Sequence, residues 1–290
     1  MSMTKINWYP GHMNKTKNLI ADNLKLVDLV LEVVDARIPL SSKNPNIVKL
    51  AKEKKRVIVL NKSDLVEKRD LDIWKDYFIK NNYADEVLAV SAESGDNFQK
   101  LYKILDEILK AKREKYLKKG IQNAAIRIMV VGIPNVGKSR VINRIVGKRA
   151  AGVGNMPGFT RGKQWIRIRD GIELLDMPGI LWPKFESEEV GYNLAITGSI
   201  KDDILNLEEI ASVFIKFIRE KGKASLFMER YNLTEEEIQD EPLYIIEKVA
   251  KKSGLIQKNE VYNIKGASLQ ILKDYRAKKL GKFGLDSPGK

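Results

Sequence analysis

The chain contains no cysteine and one histidine among its 290 residues. The lack of cysteine excludes disulfides, thiol catalysis and cysteine-based zinc sites, and a single histidine excludes a His-rich metal centre. No apolar run reaches the roughly 18 residues of a membrane-spanning helix, and no signal-peptide pattern precedes the first apolar segment. Acidic residues are outnumbered, with 38 Asp and Glu against 52 Lys and Arg, a formal net charge of +14. We therefore expect a cytoplasmic protein with an anionic partner.

Short apolar, β-branched segments alternate with segments of helical periodicity in the first part of the chain. Strands are predicted at 24–34, 56–60, 86–90 and 125–131, followed by a hairpin at 164–176. This alternation is typical of a doubly wound, mainly parallel α/β sheet. Strand signals end after about residue 183, and the remaining periodicity predicts a small all-helical domain. The predicted domains are 1–183 and 184–290.

Residues 132–139, Gly-Ile-Pro-Asn-Val-Gly-Lys-Ser, match the pattern G-x-x-x-x-G-K-[ST] between a predicted strand and a predicted helix. Glycines in such a loop let backbone N–H groups surround phosphates, and the helix N-terminus adds positive potential. Lys138 is predicted to reach the β- and γ-phosphates in a catalytic role, and Ser139 to bind Mg²⁺. The remaining nucleotide-binding residues predicted here are Asn135, Val136, Gly137 and Arg140.

Asp176 ends an apolar strand and begins an Asp-x-x-Gly segment that closes at Gly179. Nucleotide-binding sheets present a second Mg²⁺-directed carboxylate there, and the glycine N–H faces the γ-phosphate. The loop upstream of this strand offers Thr160 as a further Mg²⁺ ligand with a catalytic role. Each segment alone is also typical of an ordinary turn or loop. With the phosphate loop upstream, the predicted metal ligands are Ser139, Thr160 and Asp176.

A segment reading Asn61-Lys62-Ser63-Asp64 follows the second predicted strand. A carboxylate at Asp64 can accept hydrogen bonds from guanine N1–H and N2–H₂, a donor pair that adenine lacks, so the motif predicts GTP and GDP as ligands. Lys62 can lie along the base, and Asn61 can tie this segment to the phosphate loop. Ser91 and Ala92 follow the next strand, where backbone N–H groups can meet guanine O6. Asn-Lys-x-Asp is also common in surface turns, but two strand ends beside a phosphate loop favour guanine binding.

The guanine motif precedes the phosphate loop, which reverses the ordinary motif order of GTPases and predicts a circular permutation. The permuted order, the segment Trp-Tyr-Pro-Gly-His-Met at 8–13 and the segment Asp-Ala-Arg-Ile-Pro at 35–39 resemble the circularly permuted GTPases of the YlqF-related group. The resemblance covers nearly the whole chain. It implies a cytoplasmic GTPase that helps mature the precursor of the large ribosomal subunit and contacts its rRNA.

The position after Asp-x-x-Gly is Ile180, where many GTPases carry a glutamine that orients the attacking water. An apolar side chain cannot do this, so slow intrinsic hydrolysis is expected. The family resemblance implies His12 as a catalytic candidate, since an imidazole titrates near neutral pH. A K⁺ ion held with the help of Asn135 is the alternative source of activation. A surface or RNA-contacting role for His12 and a purely conformational role for Asn135 stay open.

Basic residues are concentrated in three runs, at 110–119, 138–169 and 265–282, and the middle run has nine Lys and Arg and no acid. Such runs fit contacts with RNA phosphates, with solubility as the alternative. No terminal amphipathic helix or lipidation motif indicates a membrane.

These features favour a GTP-hydrolysing assembly factor acting in late maturation of the large (50S) subunit, switched or released by hydrolysis. The alternatives are a GTP-liganded RNA chaperone with little turnover and a related permuted GTPase with another RNA target. We expect a monomer, because no interface-like apolar stripe stands out.

Overall fold

A computed structural model of the chain describes residues 21–121, 125–147, 164–169, 171–177, 185, 187–256 and 261–288. The chain forms two compact units. The first contains the residues up to Phe185 and those from Asp286 onward, and the second runs from 186 to Leu285.

The first unit is built on one six-stranded sheet with the order β3-β2-β1-β4-β6-β5. Its strands are β1 (Leu29–Asp35), β2 (Lys55–Asn61), β3 (Glu86–Ala89), β4 (Ile126–Val131), β5 (Gln164–Arg169) and β6 (Ile172–Asp176). All neighbouring strands pair in parallel except the hairpin partners β5 and β6, which are antiparallel. The prediction of a mainly parallel α/β sheet is therefore confirmed.

Helices connect the strands of the first unit. They are α1 (Pro45–Leu50), α2 (Lys68–Lys80), α3 (Phe98–Leu117) and α4 (Lys138–Val146). Every residue of β1 is buried, as expected for a central parallel strand that helices cover on both faces.

The first predicted strand begins later than the sequence pattern indicated. Residues 21–24 are helical, and the N–H of Leu26 then donates to the carbonyl of Asn23 in a turn at 3.0 Å. Leu24 and Val27 are buried in one cluster with Val30. Their apolar character thus reflects burial against the sheet, and not an extended conformation.

One buried carboxyl group interrupts the apolar face of β1. Glu32 is 4% exposed, and its Oε1 accepts a hydrogen bond from the N–H of Asn44 at 2.8 Å. Burial raises the pKa of Glu32 to about 7, although the positive charges of Lys43 and Arg56 oppose the shift. This group therefore links the stability of the first unit to pH near neutrality.

The chain order of the strands determines where a ligand can bind. The chain moves outward from β1 to β2 and β3, and then returns to place β4 on the other side of β1. In open α/β sheets, ligands bind outside the carboxyl ends of the strands at such a reversal. Asp35 ends β1 and Gly132 follows β4, so the crevice lies between the loops that begin at these residues.

The second unit is helical, with helices α5 (Glu188–Ile196), α6 (Leu207–Glu220), α7 (Ala224–Tyr231), α8 (Pro242–Lys252) and α9 (Ile264–Arg276). Aromatic rings fill its core, where the ring centroids of Phe214 and Tyr275 are 4.8 Å apart. Arg276 adds a polar tie, because its guanidinium donates to both carboxylate oxygens of Asp202 and to the carbonyls of Ala195 and Ile196 at 2.8–2.9 Å. Across the described ranges of the chain, no helix has both the length and the apolar character needed to cross a bilayer.

Candidate active site

The phosphate loop lies between β4 and α4, at the reversal of strand order. A Cβ at Gly132 would lie 2.6 Å from the carbonyl oxygen of Val33, so the loop can leave the sheet this closely only without a side chain. Gly137 has φ +89°, and a Cβ there would also overlap the side-chain amide of Asn61. Both glycines therefore permit a backbone path that other residues would block.

Lys138 and Asp176 lie together at the end of the sheet. The Lys138 ammonium donates to the Asp176 carboxylate, and the two side chains are 8% and 11% exposed. Ser139 is the next residue of the first turn of α4. Carboxylate and hydroxyl oxygens are the hard ligands that Mg²⁺ prefers, and a Gly-rich loop before a helix N-terminus offers backbone N–H groups to phosphate oxygens. The residues present therefore fit a magnesium–nucleotide complex.

Asn61 connects the phosphate loop to the segment that follows β3. Its side-chain Nδ2 donates to the carbonyl of Val136 at 2.7 Å, and its Oδ1 accepts from the N–H of Ala92 at 3.0 Å. Asn61 is 2% exposed, so both hydrogen bonds are shielded from water. One side chain thus fixes two loops that sequence reasoning assigned to the phosphates and to the base.

Lys62 and Asp64 lie in the turn that leaves β2. Lys62 adopts the left-handed conformation with φ +63°, and Asp64 is in a single 3₁₀ turn, Ser63–Leu65. The N–H of Ser63 donates to the carbonyl of Val90, which holds this turn against the end of β3. Asp64 is half-buried at the carboxyl end of the sheet, so part of its side chain is accessible to a nucleotide base that binds there.

Asp35 and Arg37 form a buried network that holds Lys62. The Asp35 carboxylate, which is fully buried, accepts from Arg37 Nε at 3.0 Å, from Arg37 Nη2 at 2.7 Å and from Lys62 Nζ at 2.7 Å. Lys62 Nζ also donates to the carbonyl of Asn135 in the phosphate loop at 2.9 Å. The ammonium group therefore bridges the end of β1 and the phosphate loop.

The charges of this network perturb one another's titration. Burial by itself would raise the pKa of Asp35, but Arg37 and Lys62 hold it well below its usual range. Burial lowers the pKa of Lys62, while the Asp35 carboxylate opposes that shift. Asp35 is therefore the countercharge that favours the protonated form of Lys62 in a partly desolvated position.

Arginines of α4 hold the loop that contains Ser91 and Ala92. Arg144 donates from Nε to the carbonyl of Ala92 at 3.0 Å and from Nη2 to the carbonyl of Glu93 at 2.6 Å. Arg140, predicted to bind nucleotide, pairs with the exposed carboxylate of Glu93. The helix that begins at the phosphate loop thus also supports the base-proximal loop.

Several predicted residues lie outside the described part of the chain. They are His12, Thr160, Gly179 and Ile180. Among the described candidates, Asn135 is exposed at the tip of the phosphate loop with φ +62°.

The sequence left the roles of Asp35 and Arg37 open between support of the nucleotide loops and pairing with each other, and it placed Arg144 only in a basic run. The position of Asp-Ala-Arg directly after a buried strand was an available signal for the first two, because strand ends meet at the ligand-binding edge. Arg144 carried no comparable signal, because a cation on a helix after a phosphate loop is equally typical of a solvated helix face.

Two family models match separate parts of the chain. A model described as 50S ribosome-binding GTPase matches residues 127–256, and a model of the elongation factor Tu GTP-binding domain matches residues 7–111. The two matches together contain the phosphate loop and the guanine motif in the permuted order.

Curated proteins match over nearly the whole length. Ribosome biogenesis GTPase A of Bacillus licheniformis is 41% identical over 283 residues, which is 98% of both chains, and that of Thermotoga maritima is 31% identical over 98% of this chain and 95% of its own. Among solved structures, GNP-bound YlqF from T. maritima matches with a TM-score of 0.61 and 25% identity, covering 95% of this chain and 99% of that chain. A GDP-bound structure of TM YlqF matches with a TM-score of 0.66 and 26% identity, covering 94% and 100%.

Proposed function

The chain belongs to the ribosome biogenesis GTPase A family and is a P-loop GTPase of ribosome biogenesis, and from that premise we propose its place in assembly. It acts in the cytoplasm as a monomer in late maturation of the large ribosomal subunit. It binds the rRNA of the subunit precursor, and GTP hydrolysis switches or releases it. One observation supports the proposal above all. Direct hydrogen bonds connect the turn at Asn61–Asp64 to the phosphate loop and to the loop that contains Ser91 and Ala92.

Guanine recognition is assigned to the turn after β2 and the loop after β3. Asp64 accepts from the N1–H and N2–H₂ groups of the base, and Lys62 lies along the base plane. The link from Asn61 to Ala92 holds the second loop, whose backbone N–H groups meet guanine O6. ATP is rejected because adenine would leave the Asp64 carboxylate without donors.

Phosphate binding is assigned to the loop from Gly132 to Ser139. Its N–H groups and the N-terminus of α4 bind the phosphate oxygens. Lys138 exchanges its contact with Asp176 for the β- and γ-phosphates, which leaves the Asp176 carboxylate available to the metal. The proposed metal ligands are Ser139 and Asp176, with Thr160 from the loop upstream. Mg²⁺, when bound, neutralises charge that develops on the transferred phosphoryl group.

Two sources of activation remain as alternatives for the hydrolytic water. An imidazole at His12 can position the water and accept its proton. A K⁺ ion near Asn135 can instead stabilise negative charge on the phosphates. Replacing K⁺ by Na⁺ would abolish activity in the second case alone, and His12→Ala would abolish it in the first.

The chain order gives the switch a direct route to the second unit. Asp176 ends the last strand, and the second unit begins at residue 186, with no other nucleotide motif between them. A conformational change that the nucleotide causes after β6 is therefore transmitted along the chain towards the helical unit. GTPases commonly use segments that are ordered by GTP and released on hydrolysis.

The experiment is steady-state GTP hydrolysis in K⁺ buffer. The protein is assayed alone and with purified large subunits, small subunits or large-subunit precursors, and Lys138→Ala provides the blank. We expect selective stimulation by the large subunit or its precursor. Equal stimulation by both mature subunits would favour another RNA target, and no stimulation by any particle would favour a GTP-liganded RNA chaperone.

A further inference from the structure

An exposed tryptophan lies on the edge strand of the sheet. Trp165 is 39% exposed although it belongs to β5, the outermost strand next to β6. An indole that stays partly accessible at a sheet edge offers a surface on which another ring can stack.

Arginines border this tryptophan on the same face of the sheet. The Arg127 guanidinium lies over the Trp165 ring, 5.5 Å from its centroid. Arg167 is exposed two residues along β5, so its side chain leaves the strand on the face that carries Trp165. We define these three residues as the β5 platform.

An acidic group lies beside the β5 platform. Glu173 is opposite both Arg127 and Arg167 in the strand register, and its Oε2 accepts from Arg127 Nε at 2.9 Å. This contact fixes the guanidinium beside the indole. The pair is half exposed on the arginine side, at 49%, so it leaves donor groups of Arg127 accessible to a second anion.

We propose that the β5 platform binds single-stranded RNA by stacking an unpaired base on Trp165 and by placing neighbouring phosphates at Arg127 and Arg167. Sheet faces that bind RNA use aromatic rings for unpaired bases and cations for the backbone. The charge of the surrounding sequence favours a polyanion over an ordinary protein partner, because residues 138–169 contain nine Lys and Arg and no acid. This inference rests on the proposed RNA-binding function and names the surface that performs it.

The test compares Trp165→Ala with Trp165→Phe in binding to single-stranded poly(A) and to an RNA duplex. We expect Trp165→Ala to weaken poly(A) binding roughly 5- to 100-fold and Trp165→Phe to restore most of it, because stacking needs a ring. Duplex binding should change little, since its bases are already paired. Tyr244→Ala is the matched control, because Tyr244 is an exposed aromatic, 62% accessible, in the other unit.

Two further readouts separate stacking from loss of structure. The difference in fluorescence between wild type and Trp165→Phe comes from Trp165, and poly(A) should quench it. GDP affinity should be equal in all variants. Arg167→Ala should reduce the slope of log affinity against log salt by about 0.7, the value for one phosphate contact on a single strand.

The outcomes distinguish this surface from the function on which it rests. If wild type binds poly(A) or large-subunit precursors and Trp165→Ala binds them equally well, the platform is refuted and the proposed function stands. If wild type binds neither RNA nor any ribosomal particle, both are refuted. Loss of duplex and poly(A) binding together, without quenching, would show that Trp165 serves the fold and overturn the stacking proposal.

Discussion

The substitution Asp35→Asn tests whether the buried network controls nucleotide binding. It removes one negative charge and keeps the shape of the side chain. Asp35 is fully buried and is the carboxylate that both Arg37 and Lys62 contact. The variant therefore leaves two cations near each other without their countercharge.

The geometry gives two expected magnitudes. Breaking a buried ion pair by neutralising one partner costs about 3–5 kcal/mol of stability. The charge-assisted hydrogen bond from Lys62 to Asp35, 2.7 Å long, contributes about 1.5–3 kcal/mol of that cost. Lys62 also holds the carbonyl of Asn135, so we expect its loosening to weaken GDP binding roughly 10- to 100-fold.

The assay is the dissociation rate of a fluorescent GDP analogue, measured with urea unfolding of the same samples. Asp72→Asn is the matched control, because Asp72 makes an exposed ion pair with Lys75 at 2.7 Å on α2. We expect the control to change neither quantity appreciably, since exposed pairs contribute little. A double-mutant cycle with Lys62→Ala tests whether Asp35 acts on GDP binding through Lys62. If it does, the effects of the two substitutions on GDP affinity should be less than additive.

A clear result would refute this reasoning. If Asp35→Asn lowers the free energy of unfolding while GDP dissociates at the wild-type rate, the network stabilises the fold without positioning Lys62. Fully additive effects of Asp35→Asn and Lys62→Ala on GDP affinity would refute the route through Lys62.

Three further predictions concern separate parts of the chain. Gly132→Ala should weaken GTP binding at least 10-fold by calorimetry, because its Cβ would lie 2.6 Å from the Val33 carbonyl oxygen; unchanged affinity would contradict this. Burial raises the pKa of Glu32 from 4.5 to about 7, so stability should fall by on the order of 3 kcal/mol as pH rises between those values. Glu32→Gln should flatten that profile in urea unfolding. Arg276→Ala should cost about 2–4 kcal/mol in the unfolding of the second unit, because it removes both contacts with Asp202; a loss below 0.5 kcal/mol would refute it.

Much of the sheet could be predicted from local pattern. The segments at 56–60, 125–131 and 164–176 are strands close to the predicted bounds, because central parallel strands are continuous apolar runs and a hairpin alternates. The segment at 24–34 was less predictable. Leu24 and Val27 pack on the sheet from a helical end and a turn, and apolar residues alone do not distinguish these conformations from a strand.

The sequence by itself determined the chemistry available to this protein. Motif spacing predicted a phosphate loop, a guanine-reading carboxylate and oxygen ligands for a metal, because these roles depend on residue type at short range. The reversed motif order was likewise readable along the chain, and it predicted the permutation.

The tertiary structure decided which of these groups act together. Asp35 ends β1, and Lys62 and Asn135 lie on the loops that follow β2 and β4. Their contacts exist because β1 pairs in register with both other strands. The same pairing brings Asn61 to Val136 and Val33 to Gly132. Such hydrogen bonds depend on positions fixed to within tenths of an ångström by the packed sheet, and no spacing along the chain encodes them.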